Sequence, residues 1–435
     1  FSLVNLINLS LQLNGYAIAT AQKQLQELKQ QVEHDYAAYT ETKKTEILKH
    51  HLHNTPFYRN LVGDQCQTWE DLPVLTKQDL QQALKPRLSK GFSAKNVHVH
   101  RTSGSSGTPF IFAKDKFCHA LTWASITQLY STSGIDLQNS YEARFYGIPN
   151  HGAARLKERL KDRLSNRYRF SIFDTSAANF ESFISRFKKE RFGHLNGYTS
   201  TLVLFARYLA GKKLVLKDLC PSLTHCIVTA EMLFKEDLEL LQQQFGVPVI
   251  NEYGASETGI IALGKAGGFL HIDSSLLYVE ILGEANKPVA PGTSGKIVVT
   301  SLFNKAHPFI RYEIGDLGVL VYQNGLPVLT QLEGRVGDFA LLPDGKKIPA
   351  LAFYYVTKEI MNDTASVKEF KIIQNAPNHF SINYVAETEF SAQDVEKIKR
   401  AMLNYLGMEI QLSLHKKPIL DRSKRGKLKQ FTRTF

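Results

Sequence analysis

Cysteine is scarce in this chain: Cys66, Cys118, Cys220 and Cys226 are the only four in 435 residues. So sparse a set argues against a disulfide framework and fits a reducing, cytoplasmic setting. Cys220, His225 and Cys226 lie close together, but no second ligand pair follows at finger-like spacing. They read as small buried residues beside a strand rather than as a zinc site. A long apolar run is also missing. The stretch from Phe1 to Thr20 is rich in Leu, Ile and Ala, yet Asn5, Asn8, Ser10, Gln12 and Asn14 interrupt it and no basic leader precedes it. It reads as neither a signal peptide nor a membrane span, and is expected to pack on the main domain. Neither G-x-x-x-x-G-K-[ST] nor G-x-G-x-x-G occurs, which sets aside the two commonest phosphate-binding fingerprints. There is no internal repeat and no low-complexity tract.

What is present is the composition of an ordinary globular protein, 43% hydrophobic and 22% charged. The length exceeds what one hydrophobic core usually serves, so at least two domains are expected. The formal net charge is +12. A basic surface concentrates anions, and ATP, an acidic substrate, nucleic acid or an anionic membrane would each fit. No aromatic-basic RNA-binding signature appears, so nucleic acid is set aside. Peripheral membrane contact stays open but is not indicated by the sequence.

Residues 20 to 53 carry few helix breakers, with Leu25, Leu28 and Val32 near helical spacing, and read as a helix that Thr55-Pro56 ends. Thr76, with Asp79 in the first turn, reads as a helix N-cap. Short apolar runs at Val97 to His100, Ile227 to Thr229 and Val247 to Asn251 alternate with helical patterns at Ser176 to Lys189, Thr199 to Ala210 and Lys235 to Phe245. That alternation predicts an α/β domain. From about residue 270, strands at Tyr278 to Leu282, Lys296 to Thr300, Gly318 to Tyr322 and Pro327 to Thr330 sit between Gly, Pro and Asn turns. They suggest an antiparallel or barrel-like subdomain. Strands at Phe370 to Ile373 and Phe380 to Val385, then a helix from Ala392 to Leu406, suffice for a small α+β domain. The expected division is a large domain over 1–335, with a helical leader to about residue 55, and a small one over 336–435.

One segment looks chemical. Thr102-Ser103-Gly104-Ser105-Ser106-Gly107-Thr108-Pro109 follows a strand, and its backbone N–H groups, hydroxyls and glycines suit a flexible linker and a phosphate cradle equally well. Four further segments bear on the choice: Tyr253-Gly254-Ala255-Ser256-Glu257, Phe309 to Asp316, Gly334-Arg335-Val336-Gly337-Asp338, and Gly426-Lys427 in a basic C-terminal stretch. Each alone means little.

In this order, the five segments resemble the adenylate-forming superfamily of acyl-CoA synthetases, peptide-synthetase adenylation domains and luciferases. Leu13-Asn14-Gly15-Tyr16, Thr55-Pro56-Phe57-Tyr58-Arg59, Leu72-Pro73-Val74-Leu75-Thr76-Lys77 and Gly197-Tyr198-Thr199-Ser200 extend the likeness toward the phenylacetate–CoA ligase-like branch and its capsular-polysaccharide (CapK-like) members.

The resemblance implies a large adenylate-forming domain, a small mobile lid, and activation of a small-molecule carboxylic acid by ATP and Mg²⁺. The acyl group would then pass to CoA, an amine or a sugar. It places Thr102, Ser103, Gly104, Ser105, Ser106, Gly107 and Thr108 on the phosphates, and Ala230, Glu231 and Tyr253 with Gly254 beside adenine. Ser256 would face the α-phosphate, Glu257 Mg²⁺, Asp316 the ribose hydroxyls and Arg335 the ribose. Lys427 would be the catalytic lysine, and Gly337 falls at the hinge, where relatives usually carry a charged residue. Arg144, Phe145, Tyr146, Gly147, Asn196, Gly197 and Tyr198 match segments near the acyl substrate. His151, Arg155 and Lys157 read as a solvated basic face rather than a contact for an anionic acid, and His98 and His100 read as structural. A non-catalytic nucleotide-binding partner in a polysaccharide-assembly complex is the alternative.

Overall fold

In the computed structural model, residues 7–63, 68–101, 110–147, 152–172, 174, 176–264, 268–335, 339–349, 367–406, 408–422 and 428–435 are described. The chain divides into two compact units: residues 1–314 with 318–331, and residues 315–317 with 332–435.

The leader is broken where the composition alone predicts continuity. Helices Ile18–His34 and Tyr36–Asn54 meet at Asp35, which is extended (φ −154°) and accepts a hydrogen bond from the Ala38 N–H at 3.0 Å. A good N-cap in mid-helix thus starts a second helix. Thr76 departs in the other direction. Its N–H bonds Asp79 Oδ2 at 2.7 Å, but these bonds close a turn rather than open a helix.

The first unit is organised by one sheet. Strands β1 (Val97–Arg101) and β2 (Ile111–Asp115) pair separately as an antiparallel ribbon. The parallel strands are β3 (Glu142–Phe145), β4 (Arg167–Phe170), β5 (His194–Tyr198), β6 (His225–Thr229) and β7 (Val249–Ala255). Antiparallel strands continue the same sheet: β8 (Gly259–Gly264), β9 (Leu270–Ile272), β10 (Leu277–Leu282), β11 (Ser294–Ser301), β12 (Tyr312–Gln323) and β13 (Leu326–Arg335). The order across it is β10-β11-β12-β13-β9-β8-β7-β6-β5-β3-β4.

Alternation along the parallel strands sorts residues to two faces. One face carries Ala143, Phe145, Leu195, Cys226 and Val228 into a core with Phe180, Phe183, Phe187, Phe192, Phe205 and Phe245 from the covering helices and loops. Phe170 and Phe187 stack with ring centroids 5.3 Å apart, while Phe145 meets Phe183 edge-on at 5.5 Å. Both are favourable aromatic geometries. The opposite face receives the helix Lys116–Thr132, with Tyr130 packed beside Ile227 and Ile250.

In the second unit, β14 (Phe339–Leu341) pairs with β15 (Lys347–Pro349). The strands β16 (Val367–Ala376), β17 (His379–Ala386), β18 (Gln411–Lys416) and β19 (Phe431–Arg433) form a sheet of order β18-β17-β16-β19. Helix Ala392–Leu406 places Ile398 and Met402 on Phe370, Ile372, Phe380 and Ile382. The buried Gln374 amide bonds both the N–H (3.0 Å) and the C=O (2.8 Å) of Leu341, fastening the hairpin to this sheet.

Candidate active site

Parallel strands all end on one edge of their sheet, which is where open α/β folds take ligands. Here the register aligns those ends. Phe145 lies opposite Gly197 and Gly197 opposite Val228; Tyr198 lies opposite Thr229 and Thr229 opposite Glu252. The residues at and just past that line are Tyr146, Tyr198, Ala230 and Tyr253, so four segments singled out from the sequence meet on one edge.

Each is held by local physics. A Cβ on Gly197 would come within 2.6 Å of the Phe145 Cβ, so a side chain is excluded where the two strands pass. That closeness lets the rings of Tyr146 and Tyr198 meet at 4.6 Å. Ala230 adopts φ +68°, a strained conformation for a residue with a Cβ. The strain is supported by neighbours: the Glu231 carboxylate accepts from the Ser200 N–H at 2.7 Å, at the start of helix Thr199–Gly211, and the Thr199 hydroxyl donates to the Glu231 carbonyl at 3.3 Å. Glu231 thus caps a helix, a positioning role its sequence context does not reveal.

The β7–β8 connection carries Ser256 and Glu257. A Cβ on Gly254 would meet the Gly259 carbonyl oxygen at 2.5 Å, so only glycine lets the hairpin close. Ser256 is exposed, whereas Glu257 is buried and accepts from the Tyr312 hydroxyl at 3.0 Å. Lys114, buried at the end of β2, lies near enough for the Glu257 charge to act on it. Burial pulls the Lys114 ammonium below its usual range, and Cys118, Glu257 and Asp115 oppose that shift.

Beneath the edge lies a polar cluster. The Tyr130 hydroxyl donates to Glu252 and receives the Asn196 amide at 3.3 Å, while Thr229 donates to Glu252 at 2.9 Å. Burial raises the Glu252 carboxyl above its ordinary range, and these two donors moderate the rise. Arg144 pairs with Glu142 at 2.7 Å and lies 4.9 Å from the Tyr146 ring centroid. Burial opposes both charges, yet Arg144, His194 and Arg167 hold the Glu142 carboxyl below its usual range. Glu252, Tyr130, Lys114 and Tyr312 were not evident from sequence. An acid inside the strand Val249–Ala255 was the one available signal.

Asp316 and Arg335 belong to the second unit, where the Arg335 Nε lies 3.5 Å from Asp316 Oδ1. The Thr102–Thr108 loop, Gly337 and Lys427 fall outside the described residues, as does His151. Arg422 and Leu428, on either side of 423–427, bridge as antiparallel partners. His98 bonds Tyr16 at 3.1 Å and stacks on His119 at 3.8 Å, a packing role. Cys226 is buried in β6 within the aromatic core.

The chain is similar in fold to known structures. It aligns with 2-hydroxyisobutyryl-CoA ligase in the postadenylation state in complex with R3-HIB-AMP, at TM-score 0.69 and 16% identity over 90% of this chain and 88% of that one. The fold is that of the adenylate-forming ligases. A second likeness is to the amide bond synthetase McbA from Marinactinospora thermotolerans, at TM-score 0.55 and 14% identity over 80% of this chain and 70% of that one. In sequence, residues 341–433 match the CapK C-terminal domain. Protein CapK of Staphylococcus aureus is 21% identical over 341 residues, 75% of this chain and 71% of its own. The chain thus resembles CapK in sequence and the adenylate-forming ligases in fold. No helix among the described residues is long and apolar enough to cross a membrane.

Proposed function

We propose that this chain is an ATP-dependent ligase that activates a small carboxylic acid as an acyl-adenylate and then transfers the acyl group. The observation that carries the reading is the alignment of Tyr146, Tyr198, Ala230 and Tyr253 on one carboxyl edge, with Glu257 on the adjoining turn. The substrate carboxylate oxygen attacks the α-phosphorus, the bond to the bridging β-phosphate oxygen breaks, and pyrophosphate leaves. Tyr253 and the Ala230-Glu231 corner border adenine, and Thr102 to Thr108 hold the phosphates. Asp316 receives the ribose hydroxyls, with Arg335 beside them. Lys427 sets its ammonium where negative charge builds during attack.

The donor set suits Mg²⁺. Glu257 is a single buried carboxylate fixed by Tyr312, and a hard cation bound by one carboxylate plus phosphate oxygens needs no larger protein cage. Among the described residues no cluster of three or more His, Cys, Asp or Glu side chains is arranged as a metal site. When bound, the ion would neutralise phosphate charge.

Gly337 at the hinge would absorb the backbone rotation that carries the lid from adenylation to transfer. Tyr146, Gly147, Gly197 and Tyr198 shape the acyl pocket, and CoA, an amine or a sugar takes the acyl group as the acyl–phosphate bond breaks and AMP leaves. The likeness to CapK favours a part in capsular polysaccharide synthesis, and the sparse cysteines favour a cytoplasmic setting. The test is acid-dependent ATP–pyrophosphate exchange across a panel of carboxylic acids. We expect exchange that disappears in Lys427→Ala. Tight ATP binding without exchange from any acid would favour a non-catalytic nucleotide-binding partner, and exchange untouched by the substitution would overturn the role of Lys427.

A further inference from the structure

The helix Gly152–Leu164 is inside out. A surface helix of a globular protein turns its apolar stripe to the core and its charges to water. Here both acids and Arg159 face the protein. Asp162 is buried, 2% exposed, and accepts from Arg167 Nε and Arg169 Nη2, each at 2.8 Å. Glu158 pairs with Lys161 at 2.8 Å and Arg169 at 3.3 Å. Arg159 donates to the Arg169 carbonyl at 2.8 Å and lies 4.5 Å from the Tyr168 ring. These bonds tie the helix to β4, the last strand in the sheet order. The apolar residues face out instead: Leu156, Leu160 and Leu164 are 74%, 59% and 49% exposed. Their four-residue spacing makes one continuous stripe.

The stripe is bordered by cations. Arg155, Lys157, Lys161 and Arg163 are all exposed on this helix, while both of its acids are turned to basic partners on or under it. An outward leucine row within a basic rim is the pattern of helices that lie in a bilayer interface. A second copy of the same face would bring like charges together, whereas anionic headgroups complement them.

We propose that this helix docks the chain on an anionic membrane surface, with Leu156, Leu160 and Leu164 entering the headgroup–acyl boundary. The docking is independent of the ligase reading and needs no nucleotide.

The test is flotation of the full chain with phosphatidylcholine vesicles, with and without phosphatidylglycerol. The expected result is at least about tenfold more protein on the anionic vesicles at low salt, falling as salt screens the rim. The combined variant Leu156→Ser/Leu160→Ser/Leu164→Ser should lose that excess while keeping its melting temperature, because the side chains it shortens are exposed. Lys157→Glu/Arg163→Glu should lose it as well. Three results would overturn the proposal: no preference for anionic vesicles, binding equal in wild type and leucine variant, or wild-type self-association in sedimentation that the leucine variant abolishes, which would assign the stripe to a second copy.

Discussion

The two faces of the parallel strands are made from the same short segments, yet one is apolar throughout and the other mixes isoleucines with charge. On one, Phe145, Leu195 and Val228 meet a dry stack of phenylalanines from the covering helices. On the other, one residue along, Glu142, Arg144, Asn196 and Glu252 form a polar network around Tyr130. Burying charge in this way costs free energy that apolar packing would not. A fold that needed stability alone would fill both faces alike. On the proposed reading, the aromatic face holds the sheet and the polar groups of the second face serve the edge above it.

Phe187→Ala should break the comparison hardest. Removing a fully buried ring from the middle of the aromatic stack is expected to cost about 3–5 kcal/mol, read from the urea midpoint, while ATP affinity of the folded fraction is unchanged. Gly197→Ala strikes where strand packing and site adjoin. Its new methyl would press on Phe145 Cβ at 2.6 Å, and a loss of about 1–3 kcal/mol is expected from such overpacking, together with weaker acid-dependent exchange.

The histidines sharpen the comparison by pH. Burial lowers His194 to about 4 and His51 to about 3. Both are neutral in the native state and charge on unfolding, so the unfolded chain binds more protons below its own histidine range. Their contribution is therefore full above about pH 6.5 and is lost as pH falls toward these lowered values, roughly 1–2 kcal/mol per histidine by pH 5. Denaturant midpoints measured from pH 7.5 down to 5 should drop, and the drop should be smaller in His194→Gln.

Glu252→Gln is the mildest change to stability and the most informative about purpose. Burial already disfavours the carboxylate, whose raised pKa makes it a growing liability as pH climbs from its unfolded value through its folded one. A neutral isostere should leave stability at pH 7 unchanged within about 1 kcal/mol, or improve it, while exchange activity falls. Reduced stability with full activity would give this face a structural purpose instead.

Much of this was legible in the sequence because it depends on local pattern. The helices Ala177–Lys189, Thr199–Gly211 and Lys235–Phe245, and the strands that alternate with them, carry their periodicity openly. The tyrosine–glutamate turn stood out only in company with the other four segments; the need for glycine at 254, beside the Gly259 carbonyl, is tertiary. The polar network was hidden because it is tertiary. Tyr130 reaches Glu252 across 122 residues of chain, and Tyr312 reaches Glu257 across 55. The helix broken at Asp35 and the turn at Thr76 were misread because capping chemistry starts helices and closes turns with the same bonds. The inverted helix escaped notice because amphipathic pattern does not say which side faces the protein.

The central claim is that nucleotide sits at the carboxyl edge of the parallel strands. The direct measurement is photolabelling with an azido-adenine analogue of ATP, followed by mapping of the modified peptide by mass spectrometry. The account predicts label on the segment around Tyr253 or on Thr229 to Glu231, suppressed by unlabelled ATP. Label confined to other segments and equally suppressed by ATP would contradict it.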